Sequence, residues 1–216
     1  MKDLKSYINT LRKDFAKEIL SENEVNANPI VQFEKWFKEA IDAQVNEPNA
    51  MTVCTATKEG RPSARVLLLR NFSKGGFVYY TNYNSRKGCE IAKNPYCALL
   101  FFWPELERQV RIEGIARKQS TKESDLYFNT RPHGSKIGAW ASEQSKVIAN
   151  RDKLTKAYEK ISEKFAGKEI TRPPHWGGYL LKPSSIEFWQ GRPSRLHDRI
   201  LYSKEGNNWK IERLSP

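Results

Sequence analysis

Ser85, Arg86 and Lys87 form an unusual group, because they stand where the sequence predicts the start of a short helix. Two cations in a first helical turn oppose the helix dipole, and each costs roughly 0.3–1 kcal/mol. The free backbone N–H groups at a helix start also attract anions. The group therefore predicts a phosphate site, with a solvated basic turn as the alternative.

A second group of cations lies in the segment WQGRPSRLHDRI near the C-terminus. We expect an extended backbone after Ser194, which would place Arg195, His197 and Arg199 on one face. Like charges about 4 Å apart repel by about 4 kcal/mol per pair at an effective dielectric constant near 20. The pattern predicts that an anionic ligand separates these cations, or else that acidic side chains of this chain or a partner pair with them.

The formal net charge of the 216-residue chain is +12, which also fits a nucleic-acid-binding protein. Residues 61–117 contain ten Lys/Arg and four Asp/Glu, but these charges interrupt apolar runs and do not form a basic tail. Isolated cations on strands suit small anions better than a polynucleotide. No Ser/His/Asp order, metal-ligand cluster or carboxylate pair stands out, so the residues favour an organic cofactor that supplies the difficult chemistry.

The period of the apolar residues predicts the elements that position these groups. Helical spacing predicts one helix from Leu4 to Ile19 and a second, after Asn28 and Pro29, from Ile30 to Ile41. Between residues 51 and 118 the period changes to that of a meander of about five strands, with turns at KEGRP and SKGG. The predicted strands are MTVCTAT, SARVLLLR, GFVYYTN, YCALLFFW and RQVRIEGIARK.

Three further helices are predicted outside these strands. Short helices begin near Ser85 and after Ser120, where Ser120 and Glu123 fit a capping box. A longer charged helix covers Asn150 to Phe165.

The C-terminal part returns to strands, with a hairpin turn near Glu205 to Asn208. We expect one domain over residues 1–216, mainly β with peripheral helices and a closed or split barrel. Its N-terminal helices would occupy about residues 3–45, and its C-terminal strands about residues 177–216.

Cysteine usage and hydropathy predict where the protein resides. Cys54, Cys89 and Cys97 have no CxxC spacing, so we expect buried reduced thiols. No apolar run reaches the 18 residues of a spanning helix, and the N-terminus has no signal-peptide pattern. We expect a cytoplasmic protein that binds no membrane.

Several segments together resemble the pyridoxamine 5'-phosphate oxidase family, in that family's order and approximate spacing. They are RVLLLR, YYTNYNSRKG, LERQVRIEG, YFNTRPHGSKIGAW, SEQS and EFWQGRPSRLHDR, within a match over roughly residues 28–216. The resemblance implies an FMN-binding split β-barrel and a homodimer in which both chains build each site. It also implies that pyridoxamine or pyridoxine 5'-phosphate is oxidised by dioxygen to pyridoxal 5'-phosphate, with hydrogen peroxide as the second product.

The same resemblance implies residue roles. It implies FMN contacts from Arg65, Val66, Leu67, Leu68, Tyr80, Thr81, Ser85, Arg86, Lys87, Gln109, Gln144, Ser145, Trp189 and Arg199. It implies substrate contacts from Arg70, Tyr127, Arg131, Ser135, Arg195 and His197. Of these, Arg195 and His197 would be catalytic, since they would lie beside the pyridine ring and stabilise charge that develops there. No metal is implied.

Arg70 stands where the family commonly has a lysine that contacts the substrate phosphate. Arginine keeps the charge but is longer and planar, which puts the phosphate pose and affinity in doubt. Arg65 and Arg70 are also five residues apart, so a regular strand would point them to opposite faces. A bulge, or roles in different sites of the dimer, would reconcile the two assignments.

Tyr127, Arg131 and Ser135 recur every four residues, which a continuous helix would align on one face. Pro132 interrupts that helix, so we expect a helix end that runs into a loop.

Three other hypotheses stay open at this point. A different split-barrel flavoprotein would retain the FMN residues but lack the substrate set, all of which is present here. A basic nucleic-acid-binding module would show steep salt-dependent binding and no chromophore. A carrier of B6 phosphates would bind the product without turnover.

Overall fold

The computed structural model describes residues 4–11 and 14–216. The chain divides into two compact units. Unit 1 comprises Met1–Pro48, Leu100–Ile112 and Ser185–Pro216, and unit 2 comprises Asn49–Leu99 and Glu113–Ser184. The single-domain prediction stays a prediction.

The described residues form six α-helices and nine β-strands, so the prediction of a mainly β fold with peripheral helices is confirmed. The helices are α1 (Leu4–Ile8), α2 (Pro29–Asp42), α3 (Arg86–Lys93), α4 (Thr121–Asn129), α5 (His133–Ala141) and α6 (Arg151–Lys164). The strands are β1 (Ala50–Ala56), β2 (Pro62–Leu68), β3 (Asn71–Ser73), β4 (Gly76–Asn82), β5 (Tyr96–Trp103), β6 (Arg108–Lys118), β7 (Trp176–Gln190), β8 (Asp198–Glu205) and β9 (Asn208–Arg213).

Unit 2 is built on antiparallel strand pairs. β1 pairs with β2 and β3 pairs with β4, each through a short turn, while β4 pairs with the first half of β7. Six of the seven residues of β4 are buried, because β4 lies between two other strands. A second core, under α4 and α5, consists of Phe128, Ile137, Ile170 and Trp176. The buried strand β4 and the core of α4 and α5 position the strand ends and helix ends described below.

The predicted capping box at the start of α4 is confirmed. Ser120 Oγ accepts a hydrogen bond from the N–H of Glu123 (3.2 Å), and Glu123 Oε2 accepts one from the N–H of Ser120 (3.0 Å). Two N–H groups that the helix itself cannot pair are thus satisfied reciprocally.

Replacing Ser120 by alanine is expected to lower the free energy of unfolding by about 1 kcal/mol, because one of these N–H groups loses its acceptor. Urea denaturation of the variant and the parent protein measures the difference. Thr121→Ala is the matched control, since Thr121 is exposed and lies next to Ser120 without being the capping residue. Equal losses in the two variants would contradict a capping role for Ser120.

Unit 1 packs α2 against aromatic side chains. Asn28 caps α2 by accepting from Ile30 N (2.9 Å), as Pro at the next position favours. Phe33 and Trp36 are buried, with ring centroids 5.1 Å from Phe101 and 5.1 Å from Phe188, respectively. The second half of β7 pairs with β8, and β8 pairs with β9 through the predicted hairpin turn.

The predicted first helix is wrong beyond Ile8. Arg12 and Lys13 lie outside the described residues, and residues 14–20 are not helical. The reason is that distant carboxylates accept their backbone N–H groups: Glu107 Oε2 accepts from Ala16 (2.9 Å) and Lys17 (3.3 Å), while Asp198 accepts from Leu20. These N–H groups are therefore unavailable to carbonyls one turn earlier.

The predicted meander is also wrong, although its strands are present. The strand order is β2-β1-β5-β6-β7-β4-β3, with β8 on β7 and β9 on β8, so β1 and β4 pair with strands far along the chain. Sequence periodicity identifies strands but not distant partners. The short strand β3 and helix α5 were not predicted. Pro132 directly precedes α5, which is therefore a new helix and not a continuation of α4.

Two predictions about the chain's surroundings have different outcomes. Within the described ranges, no helix has the length and apolarity needed to span a membrane, and the cytoplasmic location stays a prediction. The three cysteines are free, but only Cys97 is buried; Cys54 is half-buried and Cys89 is exposed on α3. The prediction of buried thiols is therefore wrong for Cys89.

Candidate functional site

Unit 2 contains a cleft of about 480 Å³ at the ends of β2 and β4. Ten of the residues predicted from the sequence line this cleft, which is why it is the candidate site. They are Val66, Leu67, Leu68, Arg70, Tyr80, Thr81, Tyr127, Arg131, Ser135 and Gln144. Asn82, Gly138, Ala139, Ser142 and Trp176 also line it and were not predicted.

Lys87 is a buried cation whose partners are all neutral. Its ammonium group donates to Thr81 Oγ1 (3.0 Å), Gln144 Oε1 (3.0 Å) and Ser85 Oγ (3.3 Å). No carboxylate of the described chain lies within ion-pair distance of it. Burial, together with the nearby Arg65, lowers the pKa of Lys87 to about 8. A buried ammonium group beside a cleft and without an acid is suited to an anionic ligand.

Arg86 has a different arrangement, because the anion that compensates it belongs to its own helix. Its Nε donates to Glu90 Oε1 (2.9 Å), one turn later on α3. Hydrogen bonds from Ser63, Thr55 and Arg86 outweigh the burial of Glu90 and lower its pKa to about 2. The anion that Arg86 requires is therefore within the chain, and of the two cations it is Lys87 that lacks one.

Arg65 lies with Glu90 and does not line the cleft. Its guanidinium donates to Val53 O (3.0 Å) and Thr55 Oγ1 (2.6 Å), and its Nη2 is 3.6 Å from Glu90 Oε2. Arg70 follows the end of β2 and lines the cleft. The two side chains are thus placed in different surroundings within one chain: Arg65 lies within the regular β1–β2 register, and Arg70 follows its last pair.

Arg131 lines the cleft and is only partly compensated. Its Nη1 atom is buried and has no hydrogen-bond partner among the described residues. Its guanidinium lies 4.4 Å above the ring of Trp176. Burial lowers its pKa, and the positive charge of Arg70 lowers it further. Two guanidinium groups that face one cleft without an intervening acid favour a doubly charged anion.

Tyr127 presents an aromatic face beside these cations. Its ring is stacked on Tyr80, with centroids 3.8 Å apart and planes 13° apart. Tyr127 belongs to α4, Arg131 follows α4, and Ser135 lies in α5. The predicted helix end at Pro132 is confirmed, but a second helix begins there in place of the expected longer loop.

Five other predicted residues lie in unit 1: Gln109, Trp189, Arg195, His197 and Arg199. A second cavity of about 610 Å³ in this unit is lined by Arg195 and His197. The expected extended backbone is wrong here: Ser194 and Arg195 have φ of 57° and 62°, and the N–H of Leu196 donates to the carbonyl of Pro193 (3.1 Å) across a tight turn. Arg195 is exposed as a result. Strand β8 begins only at Asp198, so the argument that Arg195, His197 and Arg199 share a strand face fails.

His197 is held as a neutral ring with a defined tautomer. Its Nδ1 accepts a hydrogen bond from the backbone N–H of Arg192 (3.1 Å), so the proton of the neutral ring is on Nε2. Burial and the neighbouring Arg195 lower the pKa of His197. His197 can therefore donate a hydrogen bond from Nε2 near neutral pH.

Arg199 is paired with an acidic side chain of the same chain. This is one of the alternatives that its sequence pattern predicted. Its Nε and Nη2 donate to both oxygens of Glu187 (2.8 and 3.2 Å), and Glu187 is buried. Arg111 donates to the same carboxylate. Trp189 is opposite Arg199 in the β7–β8 register and lies 4.6 Å from the ring of His197.

Phe15 was not predicted to belong to this group. Its ring centroid lies 5.8 Å from that of Trp189 and 6.0 Å from that of His197. Gly191 permits this approach, because a Cβ there would lie 2.6 Å from Phe15 Cβ. No local sequence signal could identify Phe15, since its contacts are more than 170 residues away.

Two predicted FMN residues have few distinguishing contacts. Gln109 is half-buried on β6, in the alternating pattern expected of that strand. Ser145 is exposed and has φ of 72°, next to Gln144. The predicted site residues thus form one group in unit 2 and one in unit 1, and their roles stay proposals.

Comparison with known families gives two matches. Residues 37–165 match the model described as "Pyridoxamine 5'-phosphate oxidase". Residues 176–216 match the model described as "Pyridoxine 5'-phosphate oxidase C-terminal dimerisation region".

Full-length relatives are similar across nearly the whole chain. A pyridoxine/pyridoxamine 5'-phosphate oxidase of Cyanothece sp. is 54% identical over 209 residues, which cover 97% of this chain and 98% of the relative. The protein of the same name from Nostoc punctiforme is 57% identical over 207 residues and covers 95% and 97%, respectively.

Solved structures confirm the predicted split-barrel fold class. PhzG from Burkholderia lata, in complex with tetrahydrophenazine-1-carboxylic acid, has a TM-score of 0.87 at 31% identity, with 93% of this chain and all of that chain covered. An FMN-binding protein of Nostoc punctiforme, related to pyridoxamine 5'-phosphate oxidase, has a TM-score of 0.68 at 16% identity, with 92% of this chain and all of that chain covered. At this identity the likeness shows the fold alone. The chain belongs to the pyridoxamine 5'-phosphate oxidase family.

Proposed function

We propose that this protein is an FMN-dependent oxidase that converts pyridoxamine or pyridoxine 5'-phosphate to pyridoxal 5'-phosphate, with dioxygen as electron acceptor and hydrogen peroxide as second product. The observation that supports it most is the cleft of unit 2: the buried Lys87 lies beside it and the half-buried Arg131 lines it, and neither has a carboxylate partner among the described residues. The names of the relatives agree with this activity.

The residues around Lys87 fit the phosphate of FMN. Ser85 caps α3 by accepting from the N–H of Gly88, and it also accepts from the Lys87 ammonium group, which therefore lies at the start of the helix, where anions are favoured. Thr81 and Gln144 line the cleft and bind Lys87, which links the phosphate position to the cleft. FMN, when bound, would accept a hydride equivalent from the substrate and pass the electrons to dioxygen.

The two arginines that line the cleft fit the phosphate of the substrate. Arg131 and Arg70 would bind the dianion, and Tyr127 and Ser135 can donate hydroxyl hydrogen bonds to it. Binding this group far from the reacting carbon would position that carbon and supply binding energy for the reaction.

Arg195 and His197 would act on the pyridine ring. The Nε2–H of His197 would donate to a polar ring substituent, and the exposed guanidinium of Arg195 would stabilise negative charge that develops on the ring. The match of residues 176–216 to a dimerisation region supports a homodimer. We propose that both of its chains build each site, as the resemblance implies.

The affinity of the FMN-free protein for FMN is expected to fall as the pH rises above about 8. Below that pH Lys87 is already charged, whereas above it the lysine must take up a proton to bind phosphate. Each further pH unit should weaken binding by up to about tenfold, until the pKa of Lys87 in the complex is reached. Quenching of FMN fluorescence between pH 7 and 9.5 measures this. Lys87→Arg keeps its charge and should flatten the profile, and a flat profile for the parent protein would contradict the role.

A second candidate is an oxidation like that of PhzG, which was solved with a tetrahydrophenazine carboxylic acid. That ligand has a carboxylate and no phosphate. Two guanidinium groups that face one cleft favour the B6 phosphates, because a dianion makes more use of both.

An anaerobic absorbance spectrum before and after addition of pyridoxamine 5'-phosphate tests the proposed function. We expect the flavin band to bleach and to return when air is admitted. Bleaching by tetrahydrophenazine-1-carboxylic acid, and not by a B6 phosphate, would favour the second candidate. If FMN did not bind to the purified protein, or if no B6 phosphate bleached it, the proposal would be wrong.

A further inference from the structure

Trp176 lines the cleft of unit 2 and contacts side chains proposed to bind the substrate phosphate. It is 7% exposed, and its ring is parallel to those of Tyr80 and Tyr127, at centroid distances of 5.4 and 6.2 Å. The guanidinium of Arg131 lies over the same ring at 4.4 Å. One indole ring thus contacts both the aromatic and the cationic part of the cleft.

Arg131 is oriented by aromatic rings and not by an acid. Besides Trp176, its guanidinium lies 5.6 Å from the ring centroid of Phe128. No carboxylate of the described chain pairs with it, in contrast to Arg172, whose Nε donates to Asp125 Oδ1 (2.6 Å). An aromatic face orients a guanidinium while leaving its charge and N–H donors available to an incoming anion.

The position of Trp176 is itself fixed relative to α4. Arg172 Nη1 donates to the backbone carbonyl of Trp176 (2.6 Å), and the same guanidinium binds Asp125 in α4. Tyr127 lies two residues after Asp125. The backbone of Trp176 and the helix that presents Tyr127 are therefore linked through one arginine.

We propose that Trp176 is a positioning residue for phosphate recognition: its ring holds Arg131 in the orientation that binds the phosphate of the substrate. This inference rests on the proposed function. Trp176 acts through Arg131, so its contribution should disappear when Arg131 is absent. A residue that merely fills the core would destabilise the cleft whether or not Arg131 is present.

A double-mutant cycle tests this, with Trp176→Phe, Arg131→Met and the double variant. The probe is 4-deoxypyridoxine 5'-phosphate, which cannot be oxidised at C4', and its dissociation constant is measured by calorimetry on the FMN-loaded protein. We expect about fivefold weaker binding for Trp176→Phe, because phenylalanine attracts cations less strongly. Arg131→Met should weaken binding about 100-fold, and the double variant no more than that.

Trp209→Phe is the matched control. Trp209 also has a cation over its ring, Lys204 at 4.8 Å, but it lies on β9 in unit 1. We expect no change in probe binding. In turnover, Trp176→Phe should raise the KM for pyridoxamine 5'-phosphate about fivefold with kcat within about twofold. If Trp176→Phe melts earlier and cannot be measured, Trp176→Tyr replaces it in the cycle.

The outcomes separate this inference from the proposed function. Additive losses, about 500-fold in the double variant, would show that Trp176 does not act through Arg131 and would overturn the inference alone. So would unchanged binding in Trp176→Phe, or a loss in kcat as large as the rise in KM. No binding of the probe to the parent protein would overturn the proposed function and this inference together.

Discussion

Replacing Arg131 by methionine is expected to lower kcat/KM for pyridoxamine 5'-phosphate about 100-fold, mainly through KM. Each charge-assisted hydrogen bond is worth about 1.5–3 kcal/mol, and the buried Nη1 atom has no partner among the described residues that could replace the phosphate. Methionine fills a similar length without charge and keeps the contact with Trp176. Steady-state rates of peroxide formation, measured over a range of substrate concentrations, give both constants.

Arg61→Met is the matched control, because Arg61 is exposed and no acid of the described chain is paired with it. It should leave both constants unchanged. The effect of Arg131→Met should also vanish with unphosphorylated pyridoxamine, since that substrate lacks the group that Arg131 binds. An equal loss with both substrates would show that Arg131 supports the fold of the cleft and not phosphate recognition.

Replacing Lys87 by methionine is expected to weaken FMN binding about 100-fold while making the FMN-free protein no less stable. The loss follows from removing a charged hydrogen-bond donor from the phosphate position. The stability follows from burial, because the ammonium group is desolvated and has only neutral partners. Fluorescence titration with FMN measures the first effect, and thermal melting of the FMN-free protein measures the second.

Lys93→Met, in the last turn of the same helix, is the control. Lys93 is exposed, so its removal should leave FMN affinity unchanged. Loss of its interaction with the helix dipole should lower the free energy of unfolding by no more than about 0.3–1 kcal/mol. If Lys87→Met bound FMN as tightly as the parent protein, the assignment of the cofactor phosphate to the start of α3 would be wrong. A large drop in the melting temperature of FMN-free Lys87→Met would show that the ammonium group has a structural role instead.

The carboxylates of the chain separate structural cations from candidate ligand-binding cations. Glu90 pairs with Arg86, and Glu187 pairs with Arg111 and Arg199. In contrast, Lys87 and Arg131 have no such partner within the described ranges, although Lys87 is buried and so is the Nη1 atom of Arg131. A desolvated charge without a counter-ion is costly, and active sites are where such costs are retained.

Much of the local structure could be predicted from the sequence. Helices α2 and α6, the capping box of α4 and the β8–β9 hairpin depend on residues a few positions apart, and all four were predicted. The candidate cations could also be identified from the sequence, because residue type and spacing within a segment are enough to find them.

The tertiary structure decided which cations are compensated and how the backbone presents them. The Glu187–Arg111 pair joins residues 76 positions apart. Carboxylates on distant elements accept the backbone N–H groups of residues in the segment 14–20, which is therefore not helical as predicted. Ser194 and Arg195 have left-handed backbone conformations that no local pattern indicated. By itself, then, the sequence determined the strands, the helices with local caps and the set of candidate cations. Only the tertiary structure decided strand partners, ion pairs and the rings around Arg131, because these depend on contacts between distant segments.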